Sequence, residues 1–212
     1  MKHFSLSKAV FMAASLAILG LTVANAQEKF SPVIVIHGGT SGLDLTKEEF
    51  KIREEPMNRA LLAGQAVLER GGSAMDAVTA AIMVLEDDPN FNAGKGAVFT
   101  ADGFNELDAS IMDGSTKKAG AVALDKNGNL AAATSTGGMT NKMTGRIGDS
   151  PIIGSGTYAD NDSVAVSCTG TGDIYMRVNA AHEVSALYKY KTQDVQKAAE
   201  DAIAQVKALG GS

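Results

Sequence analysis

The stretch Lys117–Lys142, KKAGAVALDKNGNLAAATSTGGMTNK, decides the reading of this chain. Two runs of small and β-branched residues, AGAVALD and NLAAATST, flank Asn127-Gly128. An Asn-Gly pair adopts the positive φ angles of tight turns, so the stretch reads as a β-hairpin. Its second strand ends in hydroxyls and glycines. Alternate residues of a strand share a face, so Thr134 and Thr136 point the same way. Threonine there serves strand propensity; beside a glycine turn it also offers a hydroxyl to a reacting group.

Short runs of the same kind lie on both sides: GAVFT, FNELDASIMD and SVAVSCTG, with Asp102-Gly103 and Asp113-Gly114 as further turn signals. They predict an antiparallel sheet rich in small residues. Upstream, SPVIVIHGG (residues 31–39) is a β-branched run stopped by glycines and reads as a buried strand. A polar stretch, Thr40 to Glu55, follows it. Pro56 suits the first turn of a helix that runs to Gly71-Gly72. Ser73, with Asp76 three residues on, caps the next helix, AMDAVTAAIMVLED, which ends before Pro89. That helix is apolar nearly all round and should be buried on most faces. Two more helices, 176–190 and 192–209, close the chain. Strand, helices, antiparallel strands, helices is the order of an α+β fold with helices layered on antiparallel sheet.

The first 26 residues read as a signal peptide: Lys2 and Lys8, an uncharged apolar run from Ala9 to Val23, then Ala24-Asn25-Ala26. The expectation is therefore a periplasmic or secreted protein, 27–212, folded as one domain and free of the membrane once cleaved. Its 17 basic and 24 acidic residues give a net charge of −7, which disfavours nucleic acid and anionic membranes. Cys168 is the only cysteine, so no internal disulfide forms. No Cys, His, Asp and Glu spacing suggests zinc, and two histidines survive cleavage, His37 and His182. HGGTSG and NAGKGA match neither phosphate-loop pattern, and their glycines serve backbone turning and close packing.

Two loops carry chemistry. GRIGDSP holds Arg146 and Asp149. They form either a surface ion pair of little worth or a receptor for a zwitterion, the guanidinium forked onto a carboxylate and the carboxylate taking an ammonium. SCTGTGD places Thr169, Gly170 and Gly172 after an apolar strand, where a hydroxyl beside a backbone N–H makes an oxyanion hole. Cys168 has no histidine near it in sequence and reads as a buried structural residue.

Taken in order, VIHGG, FNAGKGAVFTADG, ELDASIMDG, the hairpin with its extension to GTYADN, and VAVSCTGTGD resemble the isoaspartyl peptidase / plant-type L-asparaginase family of N-terminal-nucleophile hydrolases. The resemblance implies a four-layer αββα sandwich, and a precursor that cuts itself in front of a threonine. That threonine then attacks a side-chain amide or an isoaspartyl bond, with its own α-amine as base. On this resemblance residues 27–118 match part of the α-subunit and residues 119–212 part of the β-subunit. Thr136 corresponds to the threonine beside the nucleophile and Asn92 to an active-site asparagine. Thr169 and Gly170 correspond to the oxyanion hole. Arg146 binds the substrate α-carboxylate, and Asp149 with Gly172 its α-ammonium. Leu85, Glu86, Asp88, Phe91, Ala93 and Lys95 fall on a loop that holds a structural Na⁺, mostly through backbone carbonyls. No other cofactor is implied. The implied ligands are L-asparagine and β-aspartyl dipeptides, and a homodimer is possible.

The chain departs from the pattern at one point. Lys117-Lys118 stand where Gly-Thr should open the hairpin. IMDGSTKKAGAVA runs straight into LDKNGNLAAA, as if two similar AGAVA stretches were fused and the segment between them lost. The chain also ends at ALGGS, where the family continues. Thr116 lies two residues from Lys118, roughly 7 Å along a strand, and catalysis does not tolerate such a displacement. A lysine amine is protonated near neutral pH. The expectation is no self-cleavage and little or no amidase activity from this chain alone. The alternative function is a non-catalytic or defective relative that binds aspartate-like amino acids.

Overall fold

A computed structural model describes residues 30–39, 46–115 and 118–211, with backbone only for 118–121. The signal peptide and Thr116 lie outside the described residues. No helix among the described residues is long and apolar enough to cross a membrane.

The fold is α+β with antiparallel sheets. Helix α1 (Lys47–Glu69) packs on α2 (Ala74–Glu86), and α2 lies on strands β3 (Lys118–Leu124) and β4 (Leu130–Thr136). With β1 (Val33–Ile34) and β2 (Asp108–Asp113) these strands form a four-stranded sheet. A two-stranded sheet, β5 (Thr157–Ala159) and β6 (Ala165–Ser167), sits against β3 and β4. Helices α3 (Gly172–Val178), α4 (Ala180–Leu187) and α5 (Val195–Ala208) follow, and α4 contacts β5 and β6. Strand β4 shows how its sequence builds this. Ala131 and Ala133 pack with Leu68, Ala77 and Val78 of the helices, while Ala132 packs with Met112 and Ala159. Alternation thus gives β4 two buried faces, and alanine is small enough to let both layers approach.

Several boundaries differ from the sequence reading. The first helix starts at Lys47, not at Pro56. Thr46 and Glu49 form a capping box, with Glu49 N–H donating to Thr46 Oγ1 (3.2 Å) and Thr46 N–H to Glu49 Oε2 (2.9 Å). That reciprocal pair satisfies two orphan N–H groups and outweighs the interior Pro56, which removes one donor. The helix expected at 176–190 breaks at Asn179, whose φ of 51° is left-handed. GAVFT makes only isolated bridges, at Phe99 and Thr100. Asp125, 1% exposed, accepts N–H bonds from Asn127, Asn129 and Ala74. One carboxylate therefore closes the β3–β4 hairpin and caps α2.

The run 31–39 is a strand only at Val33–Ile34, and the cause lies in β3. Leu124 and Ala123 pair with Leu130 and Ala131 of β4 on one side and with Val33 and Ile34 on the other. Val35 N–H still donates to Val122 O (3.3 Å). Before Val122 the strand leaves. Gly120 pairs with Ala132, a register shift, and Lys118 pairs with Asp113. Asp113 also pairs with Ala131, so Lys118 is level with Ala131. Continuing the Leu124–Leu130 register would have put Lys118 opposite Thr136. Lys118 therefore does not stand opposite Thr136. Lys118 is five residues down β4 from Thr136, about 17 Å at strand rise.

Chain length imposes this. The connection from Asp113 to Lys118 is five residue steps, at most about 16–18 Å. Reaching Thr136 on the far edge of β4 needs that ~17 Å along the strand plus two strand spacings of ~4.8 Å across the sheet. The chain is too short, and β3 doubles back instead.

Candidate active site

A cavity of about 230 Å³ opens beside β4. Its walls hold every residue read from the sequence as catalytic or substrate-binding: Asn92, Thr136, Arg146, Asp149, Thr169, Gly170 and Gly172. Of the six cation-loop residues, Leu85, Glu86, Phe91 and Ala93 line it, and Asp88 and Lys95 do not.

The turn after β4 is tied down from two sides. Asn92 Nδ2 donates to Gly138 O (2.7 Å), Gly137 N–H donates to Asn92 O (2.8 Å), and Gly138 N–H donates to Thr136 Oγ1 (3.0 Å). A Cβ at Gly137 would lie 2.4 Å from Asn92 Oδ1, so the glycine permits the close approach. Thr136 is thereby fixed as an acceptor toward its own turn.

Arg146 and Asp149 are not an ion pair. No carboxylate among the described residues lies within 4.0 Å of the guanidinium, which packs over glycines. A Cβ at Gly148 would meet Arg146 Nη1 at 2.8 Å, and one at Gly172 would meet Asp149 Oδ1 at 2.8 Å and Arg146 Nη2 at 3.2 Å. Asp149 is 6% exposed, and its Oδ2 has no hydrogen-bond partner. Burial raises the Asp149 pKa; its own and Ser150's backbone N–H groups and the Arg146 charge oppose the rise. A cation without an anion and a buried carboxylate thus line one cavity. They complement a ligand that carries both charges.

The sequence reading missed a hydroxyl chain. Ser110 Oγ donates to Thr157 Oγ1, Thr157 Oγ1 to Thr134 Oγ1, both at 2.7 Å, and Thr134 Oγ1 shares a hydrogen with Ser167 Oγ at 2.8 Å. His37 Nε2 lies 3.1 Å from Ser167 Oγ. Thr134 therefore bonds the two sheets together and reaches the cavity through Ser167. The period-2 alternation of TSTGG places Thr134 and Thr136 on one face, but the partners of Thr134 come from β5 and β6, and no local pattern announces those. On the opposite face Ser135 Oγ donates to Glu86 Oε1 (2.5 Å).

His37 and Ser167 do not have the polarity of a nucleophile–base pair. Gly39 N–H donates to His37 Nδ1 (3.2 Å), which leaves the proton on Nε2 and makes it the donor to Ser167. The ring edge is open to solvent, yet protein crowding around it lowers the His37 pKa and disfavours the cation. Cys168 is not an alternative nucleophile. Burial, then the Asp149 charge, push its thiol up to about 12, so it stays protonated.

Among the described residues no group of three or more His, Cys, Asp and Glu side chains converges to hold a metal. The loop after α2 offers backbone oxygens instead. A Cβ at Gly94 would lie 2.3 Å from Glu86 O, and one at Gly96 would lie 2.1 Å from Phe91 O and 2.6 Å from Pro89 O. Only glycine at 94 and 96 permits these close backbone approaches.

The chain was compared with known proteins. A family model described as Asparaginase matches it twice, over residues 30–123 and 119–212. Both matches claim Ala119–Ala123, the stretch in which β3 changes register. The chain is 36% identical to an isoaspartyl peptidase of Salmonella typhimurium over 270 positions, covering 85% of this chain and 86% of that protein. It is 35% identical to the Escherichia coli isoaspartyl peptidase over 272 positions, covering 85% of this chain and 84% of that protein. It is 34% identical to a human isoaspartyl peptidase/L-asparaginase over 265 positions, covering 85% of each. Since 85% of 212 residues is about 180, some 90 of the 270 positions of the first alignment have no counterpart in this chain. By these matches the chain belongs to the asparaginase family.

Proposed function

We propose that the cavity is the site of an amidohydrolase acting on β-aspartyl peptide bonds and the side-chain amide of L-asparagine. One observation carries this reading: Arg146, whose guanidinium has no carboxylate partner among the described residues, and the buried Asp149 line the same cavity. Arg146 takes the substrate α-carboxylate and Asp149, with Gly172, its α-ammonium. The side-chain carbonyl then lies toward Thr169 and Gly170, whose hydroxyl and N–H stabilise the oxyanion that forms when a nucleophile adds. Thr136 and Asn92 fix the wall against which that nucleophile sits. The layer order α, β, β, α is part of this reading, supported by α2 on one face of the larger sheet and β5, β6 and α4 on the other.

The nucleophilic threonine is what the chain lacks, and Lys118 is opposite Asp113 instead of Thr136. This observation favours a second reading for the chain by itself: it holds aspartate-like amino acids and turns them over little or not at all. Calorimetric titration with L-aspartate, beside assays with L-asparagine and a β-aspartyl dipeptide, tests both. Saturable binding is expected. Absence of binding overturns the site; turnover by the unassisted chain, or an intact mass showing two fragments, overturns the second reading.

We also propose that the loop from Leu85 to Lys95 holds Na⁺ through Leu85, Glu86, Asp88, Phe91, Ala93 and Lys95, mostly by backbone carbonyls, to stiffen the wall that carries Asn92. A periplasmic or secreted location is supported by the charge and apolar pattern of residues 1–26. A homodimer is supported by the exposed Phe99, Phe104 and Met143.

A further inference from the structure

The cavity is not a pocket on one face of a sheet. Ile82, Leu85 and Glu86 of the helix layer line it, and so do Ser167 and Thr169 from the opposite layer. An intact sheet would separate these groups. Between them run Val35–Gly39, which continues from β1, and Ala133–Thr136 of β4, and both border the opening. Val122–Leu124 fill the space between the same two segments further along, pairing with each. Where Val122–Leu124 lie between them the two segments are two strand spacings apart, about 9.6 Å, and beyond Val122 no strand among the described residues runs between them. Ala133–Thr136 pair with β2 on one edge and, among the described residues, with no strand on the other. Ser167 Oγ donates to Ala133 O (2.9 Å) at this opening.

The occupant follows from the chain's own composition. The family model uses Ala119–Ala123 twice, once at the end of its first match and once at the start of its second. The chain has one copy, and that copy is tethered to β2. We propose that the slot is a strand-acceptor site, which takes an extended peptide of small residues in the register that Lys118–Ala121 cannot reach. The bound strand runs antiparallel to both neighbours, hydrogen-bonds to their backbone edges with Ala133 O already taken by Ser167, and leaves the Arg146–Asp149 end to an amino acid. This goes beyond the hydrolase reading and does not depend on turnover.

The test uses the full chain labelled with ¹⁵N and the synthetic peptide Ac-Lys-Ala-Gly-Ala-Val-NH₂, the sequence of residues 118–122. Amide shifts and slowed hydrogen exchange confined to Ile36–Gly39 and Ala133–Thr136 are the expected result. An analogue N-methylated at its second alanine should lose at least tenfold in affinity, since backbone donors carry the contact. Equal binding of the methylated analogue, or shifts elsewhere, overturns the proposal. So do shifts at the slot that depend on protein concentration without peptide, which would make a second copy of this chain the occupant. A parallel titration with L-aspartate reads the Arg146–Asp149 end separately, so failure of one arm leaves the other interpretable.

Discussion

The Arg146–Gly172 wall and strand β3 are made of similar material, short runs of glycine, alanine and hydroxyls, yet they fare differently. The wall closes on itself. Its glycines at 138, 148 and 172 let a guanidinium lie flat against backbone, and each contact is made by residues whose loops are complete. β3 is asked to be two strands. Its first residues pair with β2, its last with β4 and β1, and the register breaks where both family matches overlap. A recognition surface built of loops on a sheet survives the loss of a segment elsewhere. A strand whose place is fixed by the length of the connection before it does not.

The largest expected effect separates the two regions directly. Lys118→Thr alone restores no hydrolysis, because the substituted residue stays level with Ala131. The peptide Thr-Ala-Gly-Ala-Val with a free amine, added in trans, can bring a threonine opposite Thr136. L-asparagine turnover should then exceed that of the Lys118→Thr chain by about a hundredfold or more. Equal rates in an ammonia-release assay would break the comparison.

Next comes the wall itself. Arg146→Ala should weaken L-aspartate binding by about thirtyfold or more, the cost of losing a charged partner in a desolvated site. Arg146→Lys should recover only part of that, since the ammonium lacks the planar fork. Calorimetry reads both, and unchanged affinity would remove Arg146 from the site.

A smaller effect lies between the sheets. Thr157 is fully buried and bonded to Ser110 and Thr134. Thr157→Val removes one partner from each hydroxyl, which keep Ser150 O and Ser167, and should cost about 0.5–1.5 kcal/mol in a urea titration.

The smallest effect has the opposite sign. Asp149 holds its proton more tightly in the folded chain than in the unfolded one. Its contribution to stability is therefore fully present below the ordinary carboxyl pKa and is lost as pH rises through the raised one. Asp149→Asn should melt about 2–4 °C higher than the parent at neutral pH. The gap should close below about pH 3.9. The same substitution should abolish L-aspartate binding. A variant that is less stable at neutral pH would show that the Oδ2 oxygen is not an uncompensated charge.

Much of the site was legible because it is carried by short segments with fixed chemistry. Arg146 and Asp149 three residues apart, and Thr169-Gly170 after an apolar run, need only their loops to be folded. The fold class followed from periodicity for the same reason. The α1 start differs from the Pro56 signal because Thr46 and Glu49, whose spacing is equally readable, cap the helix nine residues earlier. The shortness of β1 and the displacement of Lys118 were not readable from local pattern. Both depend on whether five residue steps can span a sheet, a question of distance that arises only once β2 and β4 are known to be neighbours. His37, Ser167 and Thr157 were hidden in another way: each is ordinary in its own segment and gains its partner from a distant one.

The clamp at Asp125 gives β3 a divided kinetic life. Its carboxylate holds the end of β3 to the start of α2, beside the cluster of Leu68, Ala77, Val78 and Ala123. Amides of Ala123 and Leu124 should exchange only when the whole domain opens, while those of Ala119 and Gly120 exchange through a local opening. Two unfolding units thus meet inside one seven-residue strand, and the boundary between them is the edge of the slot.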